Sequence, residues 1–379
     1  MSDLVIRPVA TRRQKKDFLG FPWSLYRGDP HWIPPLRLDQ KELVGYRPHP
    51  FYENNDVQTF LAYRSGEVCG RIAAILNRGH IEVHGERRGF FGFFECADDQ
   101  AAADGLFDAV KQWFSERDIP CLRGPVNPSM NYTVGLLVDG FDSAPTFMMP
   151  YNPAYYSGLI EGYGFRKAQD LYAYWGNKEM QPAATEKLGP IIAQIQEYCG
   201  VVLRPMDTSR FREEVEAFLH LYNQSMTTTW GFVPMSAGEV QHMAKGLRYL
   251  IVPELALAAD VDGKMIGAVF ALPDYNPRIR QIDGRLFPFG FLRLIRKKHE
   301  IKRVRVLSAN VIPEYHRMGV GLVLLNGMVP KGWEWGLEEA EFSWILESNF
   351  LSRNSLEKGG AKRIKTYRVY DFEEDRGNP

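Results

Sequence analysis

Two periodicities alternate along this chain, and the order in which they follow one another occurs twice. Period-2 alternation of apolar and polar residues predicts strands, and apolar residues three and four apart predict helices. In the first half, a short strand over 4–9 precedes a helix over 12–26. A hairpin follows, 59–64 with 68–76, turned by Ser65-Gly66. Next come a strand in FFGFFEC, a helix over 101–117, and a last strand and helix ended by Gly164. The second half predicts a strand over 201–206, a helix over 210–225, and a hairpin 255–261 with 265–272 turned by Asp262-Gly263. A strand from Arg303, a helix over 321–335 and a helix ended by Gly360 complete it. Asp-Gly and Ser-Gly between alternating runs are strong hairpin signals.

The landmarks keep a nearly constant offset. Ile6-Arg7-Pro8 matches Leu203-Arg204-Pro205, and Gly66 and Gly70 match Gly263 and Gly267, each 197 residues on. Gly164 matches Gly360 at 196. A period this long is two copies of one fold rather than a solenoid. The expected division is a first domain over 1–176, a linker and connecting helix over 177–200, and a second domain over 201–379. Gly176, Pro182, Gly189 and Pro190 mark the linker.

The copies differ in one place. In the second, the stretch RVRVLSANVIPEYHRMGVGLVLL runs from an alternating strand through Pro313 and His316-Arg317-Met318-Gly319-Val320-Gly321 into an apolar helix. The first N–H groups of a helix have no internal partner, and its dipole favours negative charge there. Glycine lets an anion approach the main chain, and Arg317 adds a fixed positive charge. As sequence alone, a glycine pair after a strand is also an ordinary turn. The first copy carries Asp98, Asp99 and Asp104 at the matching place. Those carboxylates repel an anion at short range and suit a helix start.

Gly319 and Gly321 resemble the two small positions in the pyrophosphate loop, Q/R-x-x-G-x-G/A, of the GNAT superfamily of acyl-CoA-dependent N-acyltransferases. His316 stands at the first position, a departure, with Arg317 beside it. Downstream, Glu347-Ser348-Asn349, Leu356-Glu357-Lys358 and Gly360-Ala361 resemble the family's second motif, with Asn349 and Gly360 at its eleven-residue spacing. Leu356 stands where that family often has a tyrosine that protonates the departing thiolate, and Ala361 replaces a phenylalanine. Together with PHWIPPL, VGLLVDGFD and PYNPAYY, the chain is similar to a group of two-domain bacterial GNAT-like proteins, some linked to ceramide synthesis.

The resemblance implies an α+β fold of two tandem GNAT-like domains, each a mixed, mostly antiparallel sheet flanked by helices, the first degenerate. It implies acyl transfer from acyl-CoA to an amine. The expected CoA-binding residues are Val311, Arg317, Met318, Gly319, Val320, Gly321, Leu322 and Asn349. Glu347, His316 and Tyr275 are the candidates for moving the proton. Three functions stay open: acylation of a long-chain, sphingoid-like amine by a long-chain acyl-CoA, the favoured one; acetylation of a small amine or a protein amino group; and CoA binding without catalysis.

Composition changes this little. Of 379 residues, 46 are basic and 46 acidic, so no net field draws the chain to nucleic acid. Locally, residues 285–305 carry eight Lys or Arg against one acid, Glu300, beside Phe287, Phe289 and Phe291. This is the pattern of a peripheral contact with anionic headgroups, or of a solvated basic face. Cys69, Cys96, Cys121 and Cys199 form no metal-type spacing and are expected reduced and mostly buried. His80 and His84, flanked by Gly79 and Gly85, suggest a loop rather than a metal pair. No metal is expected. With no leader-like N-terminus and no apolar run of the ~20 residues a span needs, the expected location is cytoplasmic.

Overall fold

The computed structural model describes residues 4–373. Its strands are β1 (Leu4–Pro8), β2 (Asp56–Arg64), β3 (Glu67–Leu76), β4 (Arg88–Cys96), β5 (Cys121–Gly124), β6 (Val126–Asn127), β7 (Thr133–Val134), β8 (Leu136–Asp139), β9 (Arg166–Asn177), β10 (Val202–Pro205), β11 (Ala256–Val261), β12 (Lys264–Pro273), β13 (Arg303–Val311), β14 (Glu339–Leu346) and β15 (Lys362–Glu373). The α-helices are α1 (Arg12–Leu25), α2 (Arg37–Leu43), α3 (Arg78–His84), α4 (Gln100–Ser115), α5 (Tyr156–Tyr163), α6 (Gln181–Cys199), α7 (Phe211–Ser225), α8 (Ala237–Leu247), α9 (Asn276–Gln281), α10 (Gly290–Ile295), α11 (Val320–Trp335) and α12 (Phe350–Lys358).

The chain forms two compact units. One comprises Met1–Asp170, Ile279–Pro288 and Thr366–Pro379; the other comprises Leu171–Arg278 and Phe289–Lys365. In the first, the sheet order is β1-β2-β3-β4-β5 and then the end of β15, with only β4 and β5 parallel. In the second, it is β10-β11-β12-β13-β14 and then the end of β9, with only β13 and β14 parallel. Each sheet is mixed and mostly antiparallel. The units differ from the division expected at 1–176, 177–200 and 201–379. Residues 171–177 pair with β14, and residues 366–373 pair with β5 and β8. Long-range pairing of this kind leaves no local signal, because a strand carries the same alternation whichever sheet receives it.

Local chemistry sets most boundaries. Thr11 and Gln14 form a capping box at the start of α1. Ser65 and Gly66, and Asp262 and Gly263, all have positive φ, as type I′ hairpin turns require. Asp99 caps α4 by accepting from the Ala102 N–H, the helix-start role expected of it. The linker and connecting helix expected over 177–200 are the end of β9 and helix α6, which carries Pro182 in its first turn, where a missing N–H costs nothing. The predicted loop around His80 is helix α3, capped by Asn77 and ended by left-handed Gly85. Of the four thiols, all free, only Cys96 is buried and the others are half-buried.

One repeated pair of glycines, Gly70 and Gly267, has a common physical cause. A Cβ on Gly70 would lie 2.8 Å from Leu106 of α4, and one on Gly267 would lie 3.0 Å from Leu324 of α11. In both units a hairpin strand gives way so that a leucine of the central helix can press onto the sheet. Phe91, Phe94, Phe107, Phe165 and Tyr370 centre the first core. Val269, Val304, Val320, Val323 and Leu324 centre the second, where α6 contributes Ile192. Burying each such aliphatic side chain is worth roughly 1.5–3 kcal/mol.

Candidate functional site

In the second unit, the two parallel strands part. β13 pairs with β14 from Arg303↔Glu339 to Val306↔Phe342, yet β13 continues to Val311 and β14 to Leu346. On its other side, β13 shifts register against β12: Phe270 faces Ser308 and Ala271 faces Val306. Leu307 is thus an extra residue, a β-bulge, at the point where the strands separate. Beyond it, the edge of β13 facing β14 lacks a ladder partner. Peptide groups presented this way pair readily with an extended amide-bearing ligand, as an added strand would.

The turn closing the wedge is the stretch where the sequence predicts an anion site. Residues Pro313–Met318 form a 3-10 turn, Gly319 is left-handed at φ 79°, and α11 starts at Val320. The first bonds returning from α11 run from the Leu322 and Val323 N–H groups to the Gly319 carbonyl. No described residue accepts from the Val320 or Gly321 N–H, the first two of the helix. A Cβ on Gly321 would meet nothing within 4 Å, so the approach to these amides is open there. Arg317 is exposed and makes no ion pair among the described residues. Gly319 is approached by α6: a Cβ on it would lie 2.6 Å from Ile195. Cys199, at the end of the same helix, brings its Sγ 3.9 Å from Met318 Sδ.

The other predicted residues fall as follows. Val311 is buried at the end of β13, and His316 Nε2 donates to its carbonyl at 2.6 Å. This tautomer leaves Nδ1 as the acceptor. Leu322 lies in the first turn of α11. Asn349 is the N-cap of α12, accepting from the Ser352 N–H at 3.1 Å. Glu347 is half-buried between β14 and α12, and its carbonyl accepts from Arg353 at 2.7 Å. Tyr275 is fully buried and donates to the Leu250 carbonyl at 2.7 Å. Burial raises its pKa well above the ordinary tyrosine value.

Two features escaped the sequence reading. On the opposite face of β13 and β14 lies a buried network: Arg305 donates to the Ser343 hydroxyl at 2.9 Å, and Ser343 donates to Glu341 at 2.7 Å. Arg305 and Glu341 are 5% and 1% exposed. The signal was present, since charges recur at alternate positions between apolar neighbours in VRV and AEF. In the first unit, half-buried Glu95 accepts from Tyr26 at 2.7 Å and Tyr156 at 2.8 Å, beside Arg71. That Tyr156, the last residue of PYNPAYY, bonds Glu95 became clear only in three dimensions. No group of three or more potential metal ligands occurs among the described residues.

A mixed sheet whose central parallel strands part at a bulge, with a glycine turn and helix between them, defines the GNAT class of acyltransferase fold. The chain aligns over 99% of its length with all of a tandem GNAT protein from the clavulanic acid biosynthesis pathway, at TM-score 0.56 and 11% identity. It aligns over 98% with 95% of a GCN5-related N-acetyltransferase from Sphaerobacter thermophilus, at TM-score 0.53 and 13% identity. These likenesses establish the fold. No family model matches the sequence. The chain is 33% identical to the bacterial ceramide synthase of Caulobacter vibrioides, over 98% of this chain and 97% of that protein. It is 31% identical to the protein YghO of Escherichia coli, over 97% and 95%. The chain therefore belongs to the family of these two proteins and is an acyltransferase of the GNAT type.

Proposed function

We propose that this protein transfers an acyl group from acyl-CoA to the primary amine of a long-chain, sphingoid-like acceptor. The observation that carries the CoA half is the pair of unpartnered amides at Val320 and Gly321, opened by Gly319 and flanked by Arg317. Two aligned N–H groups at a helix N-terminus suit a diphosphate. The unpaired edge of β13 beyond Val306 suits the amides of the pantetheine arm. Val311, Met318, Leu322 and Asn349 complete this proposed site.

In the reaction, the neutral amine nitrogen attacks the thioester carbon, and the C–S bond breaks as the C–N bond forms. A base takes the ammonium proton, and the CoA thiolate leaves and is protonated by solvent. Glu347 at the end of β14 and the Nδ1 of His316 are the proposed acceptors for that proton. A main-chain N–H at the bulge is the proposed donor to the oxyanion. Tyr275 has no part in this proposal, because its hydroxyl is committed to Leu250.

The lipid acceptor rests on the name of the Caulobacter relative and on the segment after α9. In the second unit Phe289 is 73% exposed and Phe291 38%, ahead of Arg293, Arg296, Lys297 and Lys298. Rings at the acyl boundary with cations at the phosphates would hold the enzyme against an anionic membrane surface. No helix among the described residues is long and apolar enough to cross a membrane.

Calorimetry with CoA tests the site. Gly319→Glu sets a carboxylate against the diphosphate and should weaken CoA binding at least a hundredfold; unchanged affinity removes the proposed cradle. Turnover of C2 to C18 acyl-CoA with sphingoid bases and polyamines separates a lipid enzyme from an acetyltransferase of small amines. CoA binding without thiol release would leave only the scaffold reading.

A further inference from the structure

Behind the wedge, the second unit contains a cavity of about 170 Å³. One face of α11 walls it with Leu322, Leu325, Val329 and Trp333, spaced so that all point the same way. Val306 and Phe342, the last paired residues before β13 and β14 part, also line it. α6 covers it, and α12 contributes Leu356. No charged side chain lines the space. The cavity is on the same side of the sheet as the amides of Val320 and Gly321, because the helix that offers those amides is also its wall.

We propose that this cavity takes the hydrocarbon tail of the acyl-CoA donor. The inference rests on the CoA site of the preceding reading and specifies what its acyl end meets. A diphosphate held at the start of α11 directs the rest of the molecule down the gap between the strands, and that gap ends at Val306 and Phe342. An alkyl chain continuing past them enters an uncharged, mainly aliphatic lining. Leu356 fits this use: a phenol at that position would carry a polar hydroxyl into the space, whereas leucine keeps it dry. An apolar cavity of about 150 Å³ takes a benzene ring, so this one accommodates roughly six to eight carbons. The remainder of a longer chain would leave past α6.

Occupants are distinguished by a chain-length series on the whole protein. Dissociation constants would be measured for CoA and for saturated acyl-CoA thioesters of two, four, six, eight and twelve carbons. Affinity should rise about fourfold per added methylene up to about eight carbons and then level off. Val329→Trp fills the middle of the cavity; it should abolish that rise while leaving acetyl-CoA binding unchanged. Ala340→Leu, on the strand wall, should shorten the rise by one or two methylenes. Equal affinities for acetyl-CoA and octanoyl-CoA in the unmodified protein would overturn the cavity's role and leave the CoA cradle standing. Failure of CoA and every thioester to bind would overturn both. The unmodified protein alone decides if either variant fails to fold.

Discussion

His80 is 1% exposed, its ring edge-on to Phe90 at 4.9 Å and 4.5 Å from the ring of His84. Burial pushes its pKa down to about 4, against a partial upward pull from Glu86. Because the folded value lies below the unfolded value of about 6.5, the unfolded chain binds the proton first as pH falls. The stability from keeping His80 neutral is therefore full above pH ~6.5 and is lost progressively down to pH ~4. The loss reaches about 3 kcal/mol at most. Urea unfolding of the parent and of His80→Leu across that range should show a steeper decline in the parent; parallel curves would remove the linkage. Tyr275 illustrates the same competition between chemistry and burial. A tyrosine next to an Asp and an Asn reads as a possible proton carrier, but the fold spends its hydroxyl on a buried carbonyl. Removing that hydroxyl would cost about 1–3 kcal/mol if it left the buried carbonyl unpaired.

At the scale of elements, Asn349 is a cap before it is anything else. Its side chain satisfies the Ser352 N–H at the start of α12. Asn349→Ala should cost about 1 kcal/mol, whereas Asn349→Asp keeps the acceptor and should cost little. The same pair tests a ligand role. If the Asn349 amide also donates to CoA, Asn349→Asp should weaken CoA binding while the melting temperature holds. If affinity simply follows stability, the residue is only a cap. A connecting helix was expected over 177–200, but what α6 packs against was not visible beforehand. Pro182, Gly189 and Pro190 read as a linker, but Pro182 falls in the first turn, and Ile192 and Ile195 bring the helix onto the second core and Gly319. Composition registers the helix breakers and misses the apolar residues that outweigh them, since packing supplies most of a helix's stability.

For the whole molecule, the decisive feature is where the closing strands go. Residues 366–373 complete the first unit's sheet, although they lie at the far end of the chain from its other strands. Arg123 grips Asp371 through two bonds of 2.7 and 2.8 Å, and Arg88 reaches the same carboxylate at 3.1 Å. Tyr370 is fully buried in the first core, and losing a side chain of that kind costs about 3–5 kcal/mol. A fragment of residues 1–176 should therefore fail to fold cooperatively, as judged by near-ultraviolet circular dichroism and a broad melt. Adding a peptide of residues 362–373 should restore a sharp transition. A 1–176 fragment that melts cooperatively by itself would refute the exchange.

What the amino-acid order determined by itself was local or periodic. The hairpins at Ser65-Gly66 and Asp262-Gly263 follow from residues that accept positive φ. The twofold plan follows from the offset glycines, one pair of which, Gly70 and Gly267, makes room for a leucine pressing on each strand. The Gly319 turn follows from a glycine pair set between an alternating strand and an apolar helix. Tertiary structure alone decided the exchange of closing strands, the parting of β13 from β14, the cavity behind α11 and the burial of Arg305 with Glu341. Each depends on partners far away in sequence, and a side chain's alternation says that it will be covered without saying by what.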